Sequence, residues 1–150
     1  KVSLQGAKLS GRKLSGVDLS ESDLRNINLS QTNLFGIALN QTNLSGADLS
    51  HASLWEADLS NANLSHAKLN KADLWQAKLS GTNFNNADLS QANLFGVDLC
   101  STNLQAVNMQ GALYDKATQF PAEFDPIKSG DQLIASGVSL QEVNFRGSDL

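Results

Sequence analysis

Every fifth residue from Leu4 to Met109 is large and apolar. Of those 22 positions, 20 are leucine, and the other two are Phe84 and Met109. Two residues before each stands a small or β-branched side chain, such as Ala7, Val17, Ser22, Ile27 or Thr32, with Arg12 the one departure. An α-helix cannot use this period. Residues five apart on a helix are rotated by about 140°, so the leucines would encircle it and leave no single face to bury. On a strand, positions two apart share a face, so the small residue and the following Leu both point inward. The chain must then turn before the next pair. Glycine stands at that corner eight times (Gly6, Gly11, Gly16, Gly36, Gly46, Gly81, Gly96, Gly111), with Asn, Gln and His at several others. These residues suit tight turns, and glycine admits positive φ. Short strands joined by corners, all in one sense, make a solenoid.

The run ADLSNANLSHAKLNKADL, residues 57–74, resembles the pentapeptide-repeat family, whose unit is written A(D/N)Lxx. The resemblance extends over residues 2–114. It implies an all-β fold, a right-handed quadrilateral parallel β-helix with four pentapeptides, twenty residues, per coil. The aromatic residues support that coil length independently. Phe35, Trp55, Trp75 and Phe95 each directly follow a leucine and recur every twenty residues, so they are expected to stack on one outer face. They form the candidate interaction face, with Gly36, Glu56, Gln76 and Gly96 beside them. Asn43, Asn63, Asn83 and Asn103 are expected to form a second column, their amides hydrogen-bonding at strand spacing. The inward Leu, Ala, Thr and Val make a thin core, each Leu contributing about 2 kcal/mol before chain entropy is subtracted.

The ends depart from this pattern. Arg12 fills an inward slot, and an unpaired buried guanidinium would be too costly, so the first coil is expected to be open there. Beyond Tyr114 the repeat fails. Residues 115–137 hold both prolines and read as an irregular excursion or cap, with short helix starts at Asp125-Pro126 and Asp131 and a stop at Gly137. Residues 138–150 return to the pattern one residue out of phase, with Val138/Leu140, Val143/Phe145 and Ser148/Leu150 as inward pairs. The whole, 1–150, reads as one repeat domain. Both termini fall within repeats, as in a domain excised from a larger protein.

No residue set reads as an active site. His51 and His66 fall at corners of different columns, and no third ligand converges with them, as a metal site requires. Cys100 reads as a free outward thiol without an activating partner. The serines lack a paired base. Lys78 interrupts the column of Asp18, Asp58 and Asp98, and no phosphate loop or dinucleotide fingerprint occurs. The expectation is no enzyme, no cofactor and no metal.

Apolar runs never exceed three residues, which excludes a membrane span within these residues. A net charge of −4 argues against direct nucleic-acid binding. Two functions remain. Some proteins of the family bind DNA gyrase by imitating duplex DNA. Residues 1–111, however, hold eight Lys+Arg and nine Asp+Glu, a net −1. A duplex as long as the solenoid, about 26 Å, carries about 15 negative charges. The better reading is a non-enzymatic scaffold that resembles the cyanobacterial branch of the family. Its partner would be another protein, a second copy or the rest of a parent chain. Both a cytoplasmic location and a soluble domain of a membrane-anchored parent fit.

Overall fold

Backbone hydrogen bonds join residues about twenty apart, coil to coil. In the computed structural model, which describes residues 1–126 and the strand at 132–133, parallel bridges run from Ser3↔Asp23 to Asn93↔Leu113. The bridging residue is the one before the large inward residue, Leu in most coils and Phe84, Met109, Tyr114 or Phe120 in the others. Leu24 N–H donates to Asn43 O (2.8 Å), and Asn43 N–H donates to Ser22 O (3.0 Å). Each strand is therefore only about three residues long. Two strand residues point in, and the one between them points out, as strand alternation requires.

The corners are tight turns closed between residues three apart, as from Ile27 N–H to Leu24 O (3.2 Å). The penultimate residue of these turns has positive φ at every corner from Gly6 to Gly111 except Ser101, the type II signature. All eight glycines expected at corners have φ between 60° and 71°, and among the described residues thirteen others, including His51 and His66, adopt the same conformation. Where Asp or Asn precedes the Leu, its side chain closes the turn from the side. Asn28 Oδ1 accepts Ser30 N–H at 3.0 Å, and Asp48 Oδ1 accepts both the Ser50 N–H (3.0 Å) and its hydroxyl (2.6 Å). This Asx turn gives the D/N of the repeat a physical role.

Leucines from Leu24 to Leu99 line the axis at 0–1% exposure, with Phe84 also fully buried among them. Inward hydroxyls are satisfied by backbone carbonyls. Thr82 Oγ1 donates to Leu59 O (2.9 Å) and Thr102 Oγ1 to Leu99 O (2.7 Å), as buried polar groups require. At the first coil the core opens: Val2 and Val17 are exposed and Arg12 reaches solvent.

Toward the other end the register slips. Asp98 pairs with Gln119, 21 residues on, so one extra residue is taken up in the turn Asp115–Thr118. Phe120 and Phe124 pack on the core beside buried Tyr114, with ring centroids 5.2 Å apart for Tyr114–Phe120 and 5.4 Å for Phe120–Phe124. Strand β1 (Leu113–Tyr114) pairs in parallel with β2 (Gln132–Leu133), Leu113 opposite Gln132. Gln132 and Leu133 thus run as strand where the sequence suggested a helix starting at Asp131. A coil-to-coil ladder is available there, and two residues of backbone bonding override a local capping signal. The expected Gly137 stop and the returning repeats at 138–150 lie outside the described residues.

Candidate interaction face

The four aromatic residues occupy one column. The corner N–H of Gly36 donates to Trp55 O (2.9 Å), that of Glu56 to Trp75 O (3.1 Å) and that of Gln76 to Phe95 O (3.2 Å). Asx turns aim three of the four. Asn33 Oδ1 accepts Phe35 N–H (3.0 Å), Asp73 Oδ1 accepts Trp75 N–H (3.2 Å) and Asn93 Oδ1 accepts Phe95 N–H (3.1 Å).

Three rings form a continuous edge-to-face ladder. Phe35 and Trp55 lie 5.7 Å apart at 68°, and Trp55 and Trp75 lie 5.2 Å apart at 62°. Such contacts are worth about 0.5–1.5 kcal/mol each beyond burial. Exposure falls along the column: Phe35 is 40% exposed, the tryptophans are half-buried and Phe95 is 8% exposed. Phe95 therefore shares the column but not the open face, and its ring is outside the ladder. The reason is the register slip. Asp115 Oδ1 accepts Gly96 N–H (3.2 Å) and Thr118 Oγ1 donates to Leu94 O (2.8 Å), tying the longer turn against this end of the column.

Asp73 sits directly beside the tryptophans. Burial raises its pKa, against the lowering effect of hydrogen bonds from Trp75 N–H and the Asn93 amide. The Asn93 side chain donates to Asp73 Oδ1 at 2.9 Å, so the ladder of outward polar residues also braces the aromatic face. The expected Asn column forms from Asn43 to Asn83. Asn63 Nδ2 donates to Asn43 Oδ1 (3.5 Å) and Asn83 Nδ2 to Asn63 Oδ1 (3.3 Å), while Asn103 joins through its backbone. Sequence reading named these columns but not Asp73 or Asn93, which carry no unusual residue type. Their signal was the D/N position itself.

The remaining candidates stay apart. His51 and His66 are exposed corner residues, and among the described residues no group of three His, Cys, Asp or Glu could hold a metal ion. Cys100 is exposed and points toward Gln119 Oε1 (3.8 Å) and Phe120 O (3.6 Å). Hydrogen bonding to the Asp98 carboxyl, then desolvation, raise its pKa, which keeps it a thiol rather than a nucleophilic thiolate.

The sequence profile of the pentapeptide repeats matches in eight copies, over residues 3–41, 27–65, 57–94 and 82–113. Among solved structures, alr5209, a pentapeptide repeat protein from Nostoc Pcc 7120, is 39% identical over 67% of this chain and 84% of its own, with a TM-score of 0.66. Rfr23 from the cyanobacterium Cyanothece 51142 is 30% identical over 79% of this chain and 90% of its own, with a TM-score of 0.50. QnrB1, a plasmid-mediated fluoroquinolone resistance protein, is 16% identical at a TM-score of 0.33, too distant to bear on function. No curated protein sequence matches at a significant level.

Proposed function

The chain belongs to the pentapeptide-repeat family, with its right-handed quadrilateral β-helix, and from that premise we propose a non-enzymatic scaffold that binds protein through Phe35, Trp55 and Trp75. One observation carries this reading. Among the described residues the exposed large hydrophobics are Val2, Val17 and Phe35. Val2 and Val17 fill inward slots of the first coil, whereas Phe35 stands on the side of the solenoid and continues into two half-buried tryptophans. An apolar strip of that kind, with Trp at its centre, has the character of a contact site.

The occupant we assign is a second copy of the chain. The strip is about 10–15 Å tall at strand spacing, and a two-fold axis near Trp55 would set Phe35 of one copy against Trp75 of the other. The repeat body, at net −1 over residues 1–111, offers little charge repulsion to such a pair. No helix among the described residues is long and apolar enough to cross a membrane.

Sedimentation of the native chain and of the double variant Trp55→Ser/Trp75→Ser across a concentration series tests this. Reversible self-association of the native chain, lost in the variant while the β-sheet signal remains, is the expected result. Equal mass for both at every concentration would refute self-association through this face.

A further inference from the structure

The coil-to-coil hydrogen bonding stops at one place. Leu74 N–H reaches Asn93 O and Phe84 N–H reaches Asn103 O, each at 2.9 Å, but Leu79 N–H and Asp98 O do not pair, nor do Asp98 N–H and Ala77 O. The bridges Asp73↔Asn93 and Asn83↔Asn103 bracket the missing rung between Lys78 and Asp98. Gly81 N–H turns instead to Ser101 Oγ (3.1 Å), and Ser101 is the one corner from Gly6 to Gly111 that does not take positive φ. The next coil carries the one-residue slip on this same side, where Asp98 pairs with Gln119. An open groove of about 390 Å³ lies over this break, lined by Gln76, Ala77, Lys78, Leu79, Ser80 and Asp98 among others and reaching Ser60 of the coil before. That volume falls at the lower end of small-molecule sites, which run to about 1,000 Å³.

The chemistry of its walls is specific. Leu79 N–H and Ala77 O, in residues only 1% and 5% exposed, have lost their coil-to-coil partners, and so have the N–H and carbonyl of exposed Asp98 facing them. Backbone groups so placed require a partner. The lips are oppositely charged. Lys78 and Asp98 are both exposed and neither is in an ion pair among the described residues. We propose that this opening binds a short zwitterionic peptide. The peptide unit takes the vacant strand rungs, its carboxylate meets the Lys78 ammonium, and its ammonium meets the Asp98 carboxylate. Charge-assisted hydrogen bonds of this type are roughly twice as strong as neutral ones.

The test is an amide NMR titration of the native chain with alanylalanine, with its N-acetylated, C-amidated form as the neutral control. The site predicts saturable shifts at the Leu79, Gly81 and Asp98 amides with millimolar zwitterion and none with the control. Lys78→Met and Asp98→Asn, both at exposed positions, should each weaken binding about tenfold, with other amide changes confined to the substituted residue and its neighbours, including Cys100, whose N–H donates to Asp98 Oδ1 (2.8 Å). Absent shifts, equal shifts with the control, or binding indifferent to both variants would overturn the proposal. So would a Leu79 amide as protected from exchange as those of Leu74 and Phe84, since the opening would then be closed in solution.

Discussion

Asn63 hands its side-chain amide to Asn43 Oδ1 at 3.5 Å while its own Oδ1 takes the Ser65 N–H at 3.1 Å and the Asn83 amide at 3.3 Å. One side chain thus closes its own turn and links three coils. Asn63→Asp keeps the acceptor for Ser65 and Asn83 but loses the donor to Asn43. Asn63→Ala loses all three and leaves a turn N–H unpaired. Chemical denaturation should rank native above Asp above Ala, with Ala costing about 1–3 kcal/mol. An Ala variant as stable as the native chain would show that these ladders follow from coil stacking without contributing to it.

Asp73 makes a pH-dependent prediction. Its folded pKa is raised by burial above the ordinary carboxylate value of 3.8, so the folded state holds its proton more tightly than the unfolded chain. Above the folded pKa the charged group destabilises the fold, and that penalty is relieved as pH falls through the folded pKa toward 3.8. Asp73→Asn keeps an oxygen for Trp75 N–H and for Asn93. It should melt higher than the native chain at neutral pH, and the difference should vanish in acid below pH 3.8. A difference that stays constant across pH would assign the effect to packing instead.

The near-neutral repeat body predicts an inert outcome against gyrase. A solenoid of net −1 over residues 1–111 cannot reproduce the field of a duplex carrying about one charge per 1.7 Å. Supercoiling assays with added chain should show neither inhibition of gyrase nor protection from quinolones. Submicromolar inhibition abolished by neutralising Asp18, Asp58 and Asp98 would reverse this.

Much of the architecture was legible because burial and turn chemistry act locally. The Leu period placed the core, Gly6 to Gly111 marked corners that do take positive φ, and the twenty-residue recurrence put Phe35, Trp55 and Trp75 in one column. The D/N preference was visible, but its function was not, since an Asx turn shows only once the corner geometry is known. What escaped altogether is non-local. The burial of Phe95 and the parting of Lys78 from Asp98 both adjoin one extra residue near Asp115, whose effect falls on the coil before it. Asp131 shows the converse case, a local helix signal beside residues that pair as strand with Leu113–Tyr114.

The proposed contact face is tested most directly by two phenylalanines in one column, Phe35 at 40% exposure and Phe95 at 8%. Each is replaced by serine, and melting and sedimentation are measured on the same samples. Phe95→Ser should cost about 3–5 kcal/mol, as for large-to-small core changes, and the fraction that stays folded should associate like the native chain. Phe35→Ser gives up one ring contact, about 0.5–1.5 kcal/mol, yet should weaken self-association. If Phe35→Ser associates as the native chain does, the column is a stacking ladder and the proposed contact face is wrong.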